Sequence, residues 1–105
     1  MQNISKVSEI TYTDVADFLR LPELTAADQN FLTSIIGVAK AFICQYTGRE
    51  IADLDNFQDF IIVVFVLCQD MYDNRVLYVN TDNLNKVVIT ILGMHTINNL
   101  PSVTL

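Results

Sequence analysis

The sequence predicts an all-α fold, a compact bundle of about four helices with an extended arm between the last two. Two observations support this prediction. Apolar residues recur at intervals of three and four over two long stretches, which is the period of a helix that buries one face. Residues suited to helix caps stand at the ends of these stretches. With 105 residues, the chain is long enough for one domain and too short for two, so we expect a single domain over 1–105.

The first predicted helix is short and covers residues 14–20. Thr13 precedes it, and acids occupy its first turn, where they favour the positive end of the helix dipole. Its apolar face consists of Val15, Phe18 and Leu19. Pro22 ends it, because the residue before a proline is pushed out of the helical region.

The second predicted helix opens at Thr25 and closes at Gly48. The Thr25 hydroxyl can accept a hydrogen bond from the backbone N–H of Asp28, as in a variant of the capping box. Gly48 suits the left-handed cap at the far end. Gly37 lies inside the helix, which suggests that another backbone passes close to it. The predicted buried face consists of Leu32, Ile35, Ile36, Ala39, Phe42, Ile43 and Tyr46.

The third predicted helix starts near Asp55 or Asn56 and ends at Tyr72 or Asp73. Its core face repeats the spacing of the second helix: Phe57, Phe60, Ile61, Val64, Leu67, Cys68 and Met71. Its other faces are apolar too: Ile62, Val63, Phe65 and Val66. Because a helix that is apolar all round is either central or shared, we expect one side in the core and one against another copy.

An exposed extended arm or short strand is predicted from Val76 to Asn80, and residues 81–83 can cap a last helix. That helix keeps helical spacing from Leu84 and ends around Gly93. A run of β-branched residues makes a strand the competing prediction for 84–93. Residues 98–105 have no periodicity and are expected to form a loose tail.

The composition is 51% hydrophobic, 17% charged and carries a formal net charge of −6. Surplus apolar surface in a chain this short favours self-association. Six acids and no base lie from Glu50 to Asp73, which argues against direct binding of nucleic acid and indicates a solvated acidic face. The start of the chain lacks a signal-peptide pattern and the longest apolar run is too short to cross a bilayer, so we expect a cytoplasmic protein.

Residues for catalysis are scarce. His95 is the single histidine and is expected at the surface of a helix end. The acids Asp53, Asp55 and Asp59 do not fit a calcium loop and are assigned to helix starts. Cys44 and Cys68 are expected to be reduced, buried and inert. We therefore predict no enzymatic activity, no metal and no cofactor.

Two predicted helix ends share the order of a tyrosine, a residue able to cap, and an arginine. They are Tyr46 to Arg49 and Tyr72 to Arg75. Capping and a favourable charge at the negative helix end explain this order without any further function. Arginine and tyrosine are also enriched among the residues that dominate binding at protein interfaces. The candidate interface residues are Tyr46, Arg49, Ile62, Phe65, Val66, Tyr72, Arg75 and Tyr78.

Three segments in order resemble the small head-to-tail connector, or adaptor, proteins of tailed bacteriophages, often described as DNA-packaging proteins. They are residues 15–21 (VADFLRL), 39–49 (AKAFICQYTGR) and 71–75 (MYDNR). The resemblance spans most of the chain.

The resemblance implies a homo-oligomeric ring of about a dozen subunits, closed by rotation. Such a ring joins the portal protein of the filled head to a tail-side completion protein. DNA passes through its channel without being specifically bound, and no membrane takes part. The expected locations are the bacterial host cytoplasm during assembly and then the virion neck.

Two other functions are compatible with this sequence. Residues 12–21 also resemble the opening of a winged-helix or excisionase-like domain, which would make the chain a small helix-turn-helix-like DNA-binding regulator of prophage origin. A recognition helix needs bases, however, and the second predicted helix has only Lys40. The other alternative is an accessory or toxin-neutralising subunit, which would share the acidic, helical and oligomeric character.

Overall fold

Four α-helices make up most of the computed structural model, which describes residues 4–97. They are α1 (Tyr12–Leu19), α2 (Ala26–Thr47), α3 (Asp59–Asn74) and α4 (Lys86–His95). Three short 3-10 helices cover Val7–Glu9, Ile51–Asn56 and Thr81–Asn83. Within the described range there is no strand, so the all-α prediction is confirmed. The predicted loose tail, 98–105, lies outside the described residues.

Helix α1 begins two residues earlier than the sequence predicts, because Thr11 rather than Thr13 caps it. The buried Asp14 carboxylate accepts hydrogen bonds from the Thr11 backbone N–H at 2.8 Å and from its hydroxyl at 2.9 Å. The helix ends at Arg20, whose φ of 61° is left-handed. The next N–H, from Leu21, donates to the Ala16 carbonyl at 3.0 Å, as in a Schellman motif.

Helix α2 confirms the predicted caps at both ends. Thr25 and Asp28 exchange two hydrogen bonds of 3.1 Å, and Gly48 has a φ of 76°. The expectation for Gly37 is wrong. A Cβ built there would have no neighbour within 4 Å, so no second backbone passes close to this glycine.

Helix α3 begins later than predicted because residues 51–56 form a 3-10 helix instead. It packs against α1, α2 and α4. Its buried residues are Phe60, Val63, Val64, Phe65, Leu67, Cys68 and Met71. The apolar surface that α3 leaves uncovered is smaller than the sequence suggests, since Ile62 is the one apolar residue of this helix that is exposed.

The segment after α3 contains an irregular stretch, residues 76–80, which we call the arm. Leu77 and Tyr78 are exposed in it, as predicted for an arm. The last element is a helix and not a strand. It starts at Lys86, one residue after its cap, because the Asn85 side chain accepts from the Val87 N–H at 2.7 Å. It passes Gly93 and ends at His95, two residues beyond the prediction.

One hydrophobic core joins all four helices. Its fully buried side chains include Val15, Leu32, Phe60 and Leu92, one from each helix. Burying each such side chain contributes on the order of 1.5–3 kcal/mol. The outer faces of α2 and α3 are therefore held in fixed positions by a packed interior.

Candidate protein interface

An apolar surface lies where the arm passes α2, and we call it the α2–arm face. It consists of Val38, Ala41, Phe42, Gln45 and Tyr46 from α2 with Leu77, Tyr78 and Val79 from the arm. The other α2 members fall on the same side of the helix as Val38 because they follow it by three, four, seven and eight residues. An open groove of about 260 Å³ lies between α2 and the arm.

Four side chains give the α2–arm face its chemistry. Leu77 is 53% exposed, Tyr78 61% and Tyr46 41%. Phe42 joins the two tyrosines, because it lines the groove beside Tyr78 and its ring lies 5.8 Å from that of Tyr46. None of the residues in this face carries a charge. Exposed aromatic and aliphatic groups without charges are typical of a protein contact surface.

A second, smaller surface lies between α1 and α3. The Phe18 and Phe65 rings stack with centroids 5.1 Å apart, and Phe18 remains 37% exposed. Ile62 lies one turn before Phe65 on the same helix and is 52% exposed. We call Phe18 and Ile62 the α1–α3 patch. It shares no residue with the α2–arm face.

Two of the predicted interface residues of α3 are less accessible than expected. Phe65 is only 5% exposed, so the expectation that it presents an exposed apolar surface is wrong. The physical reason is that Phe18 of α1 covers it. Val66 is half-buried and lies beside Leu84, near the segment that leads into α4.

Arg75 remains at the surface with its predicted neighbour. Its guanidinium lies 4.4 Å from the centre of the Tyr72 ring and 5.6 Å from that of Phe31 on α2. It also donates to the Tyr72 hydroxyl at 3.4 Å. Arg75 itself, and not Asn74, adopts the left-handed cap, with φ of 54°. This places an exposed cation next to the start of the arm.

Arg49 has a different environment, although the sequence treats the two arginines alike. Its Nε donates to the His95 carbonyl at 2.7 Å, and its guanidinium lies 4.5 Å above the Phe57 ring. It is half-buried. Arg49 therefore connects the end of α2 to the end of α4 within one subunit, and its known contacts are internal.

His95 is not the surface residue that the sequence suggests. Its side chain is 17% exposed, and its ring lies 4.3 Å from Phe57 and 4.9 Å from Phe60. Its Nε2 is 2.8 Å from the Asp59 carboxylate. With one acid and two aromatic rings around it, this histidine helps to hold the end of α4 against the start of α3.

The predicted acidic face is only partly free for other contacts. Asp59 pairs with His95, and Asp55 accepts from the Ser8 backbone N–H at 2.8 Å. This hydrogen bond lowers the pKa of Asp55 below its ordinary value. Glu50, Asp70 and Asp73 are exposed.

The two cysteines are free thiols, as predicted, but they differ in burial. Cys68 is buried, which raises the pKa of its thiol to about 12. Cys44 is half-buried, and the pKa of its thiol is also raised, first by burial and then by the nearby Asp53.

No cluster of three or more metal-binding side chains occurs among residues 4–97. In the same range, no helix has the length and apolar character needed to cross a membrane. Comparison of the chain with protein-family models, curated proteins and solved structures finds no match. The α2–arm face and the α1–α3 patch are two of the exposed apolar surfaces of residues 4–97, and others include Val87, Ile89 and Met94 on α4.

Sequence reasoning missed several members of these surfaces. Phe42 was assigned to the core because it shares the period of Ile35 and Ile43, although it lies at the edge of that stripe and is half-buried. Leu77 precedes Tyr78 in the arm and could have been found from the same exposed, irregular segment. Nothing in the sequence marks Phe18 as exposed, since it fits the apolar face of a short helix.

Proposed function

We propose that the chain is a structural subunit of a closed ring that joins the portal of a filled phage head to the tail and leaves a channel for DNA. The observation that carries the proposal is the uncharged α2–arm face, with Leu77, Tyr78 and Tyr46 exposed. Exposing such side chains to water is unfavourable unless a partner covers them. The resemblance of three segments to phage connector proteins directs the choice of partner.

The geometry of a ring adds a second argument. In a ring of more than two subunits, each interface is heterologous, so one surface of a subunit meets a different surface of the next. Each subunit then needs two separate contact surfaces. The α2–arm face and the α1–α3 patch meet this requirement, and we propose that they bind each other. The exposed Arg75 and the half-buried Tyr72 lie at the end of α3, next to the arm, and are assigned to the rim of the same interface.

The acidity of the chain is compatible with a DNA channel. A net charge of −6 disfavours tight binding to phosphates, so DNA would pass without adhering. The three exposed acids, Glu50, Asp70 and Asp73, are the residues proposed to repel it. The DNA-binding regulator has less support, because among α1, α2 and α3 only Lys40 of α2 is basic.

The test is the mass of the purified chain in concentrated solution, measured by sedimentation and checked by electron microscopy. We expect closed rings. Tyr78→Asp should abolish them by placing a charge in the interface, while Val87→Asp, an equally exposed apolar position on α4, should leave them intact. Rings that persist in Tyr78→Asp, or a chain that is monomeric at every concentration, would contradict the proposal. Tight binding to random duplex DNA at low salt would favour the regulator instead.

A further inference from the structure

Helix α4 is apolar on two sides, and its own subunit covers only one of them. Val88, Ile91 and Leu92 are buried in the core. Val87, Ile89 and Met94 are exposed, by 54%, 43% and 64%. A helix that is apolar all round is ordinarily covered on every side. We call the exposed side the outer face of α4, and it consists of Lys86, Val87, Ile89, Thr90, Gly93 and Met94.

Gly93 lies near the middle of the outer face, and nothing in its own subunit requires a glycine there. Its φ is not positive, unlike that of Gly48, and a Cβ built on it would have no neighbour within 4 Å. Glycine is among the least favourable residues inside a helix. It does allow another backbone to approach closely. Thr90, one turn earlier, is also small, and its hydroxyl already donates to the Lys86 carbonyl at 2.9 Å.

Lys86 is placed against the electrostatics of its own helix. It is the first residue of α4, where the helix dipole is positive and a cation is unfavourable. Among residues 4–97, its ammonium makes no ion pair. In an antiparallel pair of α4 helices, each Lys86 lies beside the negative end of the partner's helix. That end attracts a cation within the subunit too, since Arg49 Nε donates to the His95 carbonyl at 2.7 Å. The charges of the outer face are therefore complementary to those of an antiparallel second copy.

The distribution of acids favours contact between copies at this end of the chain. All twelve acids lie at or before Asp82, so α4 contains none although the net charge is −6. Like charges brought together at an interface oppose binding. Two copies can thus meet through α4 without bringing carboxylates of this helix together.

We propose that the outer face of α4 binds the outer face of α4 in a second copy, with the two helices antiparallel about a two-fold axis. The axis passes between Thr90 and Gly93, so that Thr90 faces the partner's Gly93. Val87 then faces the partner's Met94. Each contact occurs twice, as in any isologous interface.

The size of the outer face determines which assemblies it can hold together. A helix of ten residues is about 15 Å long and about 10 Å wide, so the face offers on the order of 150–300 Å². A stable interface buries about 800 Å² on each partner. Two free subunits therefore separate again. Two rings are held together by one such contact for each subunit, and this consequence rests on the proposed function.

The contact is tested first without rings, by trapping it as a disulfide. Thr90→Cys is placed in a Tyr78→Asp, Cys44→Ala chain, in which the remaining Cys68 is buried. Diamide takes two electrons and two protons from two thiols near the two-fold axis and leaves the disulfide. Covalent dimers should form at least tenfold faster than with Thr33→Cys in the same chain. Thr33 is an exposed threonine on α2 with the same hydrogen bond to the carbonyl one turn before it. Equal rates would overturn the proposal.

The second test is the mass of the rings formed by the full chain, measured by sedimentation and electron microscopy. Paired rings are expected. Gly93→Gln fills the space at the two-fold axis, and it should halve the mass without unfolding α4, because glutamine favours a helix more than glycine does. Val87→Asp should also give single rings. Ile51→Asp adds the same charge at an exposed apolar position outside α4 and should keep the pairs. Pairs that persist in both Gly93→Gln and Val87→Asp would overturn the proposal.

The two experiments separate this proposal from the proposed function. If Thr90→Cys cross-links faster than Thr33→Cys but no chain forms rings, the α4 contact stands and the ring is wrong. If the full chain forms single rings and the two cysteines cross-link at equal rates, the ring stands and the α4 contact is wrong. The outer face of α4 would then be a surface for a different protein.

Discussion

Two arginines occupy left-handed backbone conformations at helix ends, Arg20 with φ of 61° and Arg75 with φ of 54°. A side chain in this region costs roughly 1 kcal/mol relative to glycine, because the Cβ approaches the following carbonyl. Gly48 shows the ordinary solution at the end of α2. The chain thus has a residue other than glycine in this unfavourable conformation at two helix ends, whereas glycine avoids the cost at a third.

Replacement of Arg20 by glycine should therefore stabilise the protein by about 0.5–1 kcal/mol. Arg20→Ala removes the same side chain but keeps the Cβ, so it should bring no such gain. Urea unfolding followed by circular dichroism gives both values. Equal stability of the glycine and alanine variants would show that backbone strain at this position is negligible.

The two thiols should differ in reactivity because only one of them is fully buried. Cys68, with its pKa raised to about 12, should not react with a disulfide reagent in the native protein near pH 8, since the thiolate is the nucleophile. Cys44 should react slowly. The measurement is the number of thiols titrated with and without urea. Without urea, the folded Cys44→Ala variant should not react with the reagent. A rapid reaction of that variant would mean that Cys68 becomes accessible when the core opens.

At the scale of helices, Arg49 and Arg75 make a matched pair with different roles. Arg49→Ala removes a hydrogen bond to the His95 carbonyl and a contact with Phe57, so it should destabilise the fold by about 1–2 kcal/mol. Arg75→Ala loses ring contacts and a long hydrogen bond to the Tyr72 hydroxyl from an exposed position, and it should cost about 0.5 kcal/mol. Urea unfolding compares the two. Equal losses would mean that Arg49 does not connect α2 to α4 in solution.

The contact between the first two 3-10 helices should depend on pH through Asp55. Its pKa is lowered by the hydrogen bond from the Ser8 N–H, followed by the contribution of the Ser8 side chain. A lowered pKa stabilises the fold above the unfolded value, near 4, and this contribution disappears as the pH falls through the folded pKa. Asp55→Asn should therefore be less stable than the native chain at neutral pH.

The difference between the native chain and Asp55→Asn should shrink as the pH falls below the ordinary aspartate pKa and through the lowered pKa of the folded carboxyl. Comparing the two chains cancels the parallel effect of Glu9, whose pKa is also lowered, first by backbone hydrogen bonds from Ser5 and Lys6. Urea midpoints across this range provide the test. A difference that does not change with pH would exclude Asp55 as the titrating group.

At the scale of the whole molecule, the sequence predicts features that arise within one helix. It misses features that depend on contact between two helices. The caps of α2 at Thr25 and Gly48 involve neighbours in the chain, so they were predicted correctly. The burial of Phe65 depends on Phe18, which lies 47 positions away in the numbering of the sequence, and the role of Arg49 depends on His95. No periodicity encodes such contacts.

The proposed pairing of the α2–arm face with the α1–α3 patch makes a prediction that neither surface makes alone. Tyr78→Asp destroys the first surface and keeps the second, whereas Ile62→Asp does the reverse. Each variant should be monomeric by itself. Mixed in equal amounts, they should form dimers, because the intact face of the Ile62→Asp chain can bind the intact patch of the Tyr78→Asp chain.

Growth should stop at the dimer, since both surfaces that remain outside the new interface carry an aspartate. Sedimentation of the mixture measures the dimer, and native mass spectrometry with one chain isotope-labelled confirms that it contains one of each variant. A mixture that remains monomeric would contradict the pairing of these two surfaces even if the native chain forms rings. Dimers of either variant alone would indicate an isologous contact, in which one surface binds its own copy and no ring of more than two subunits can close through it.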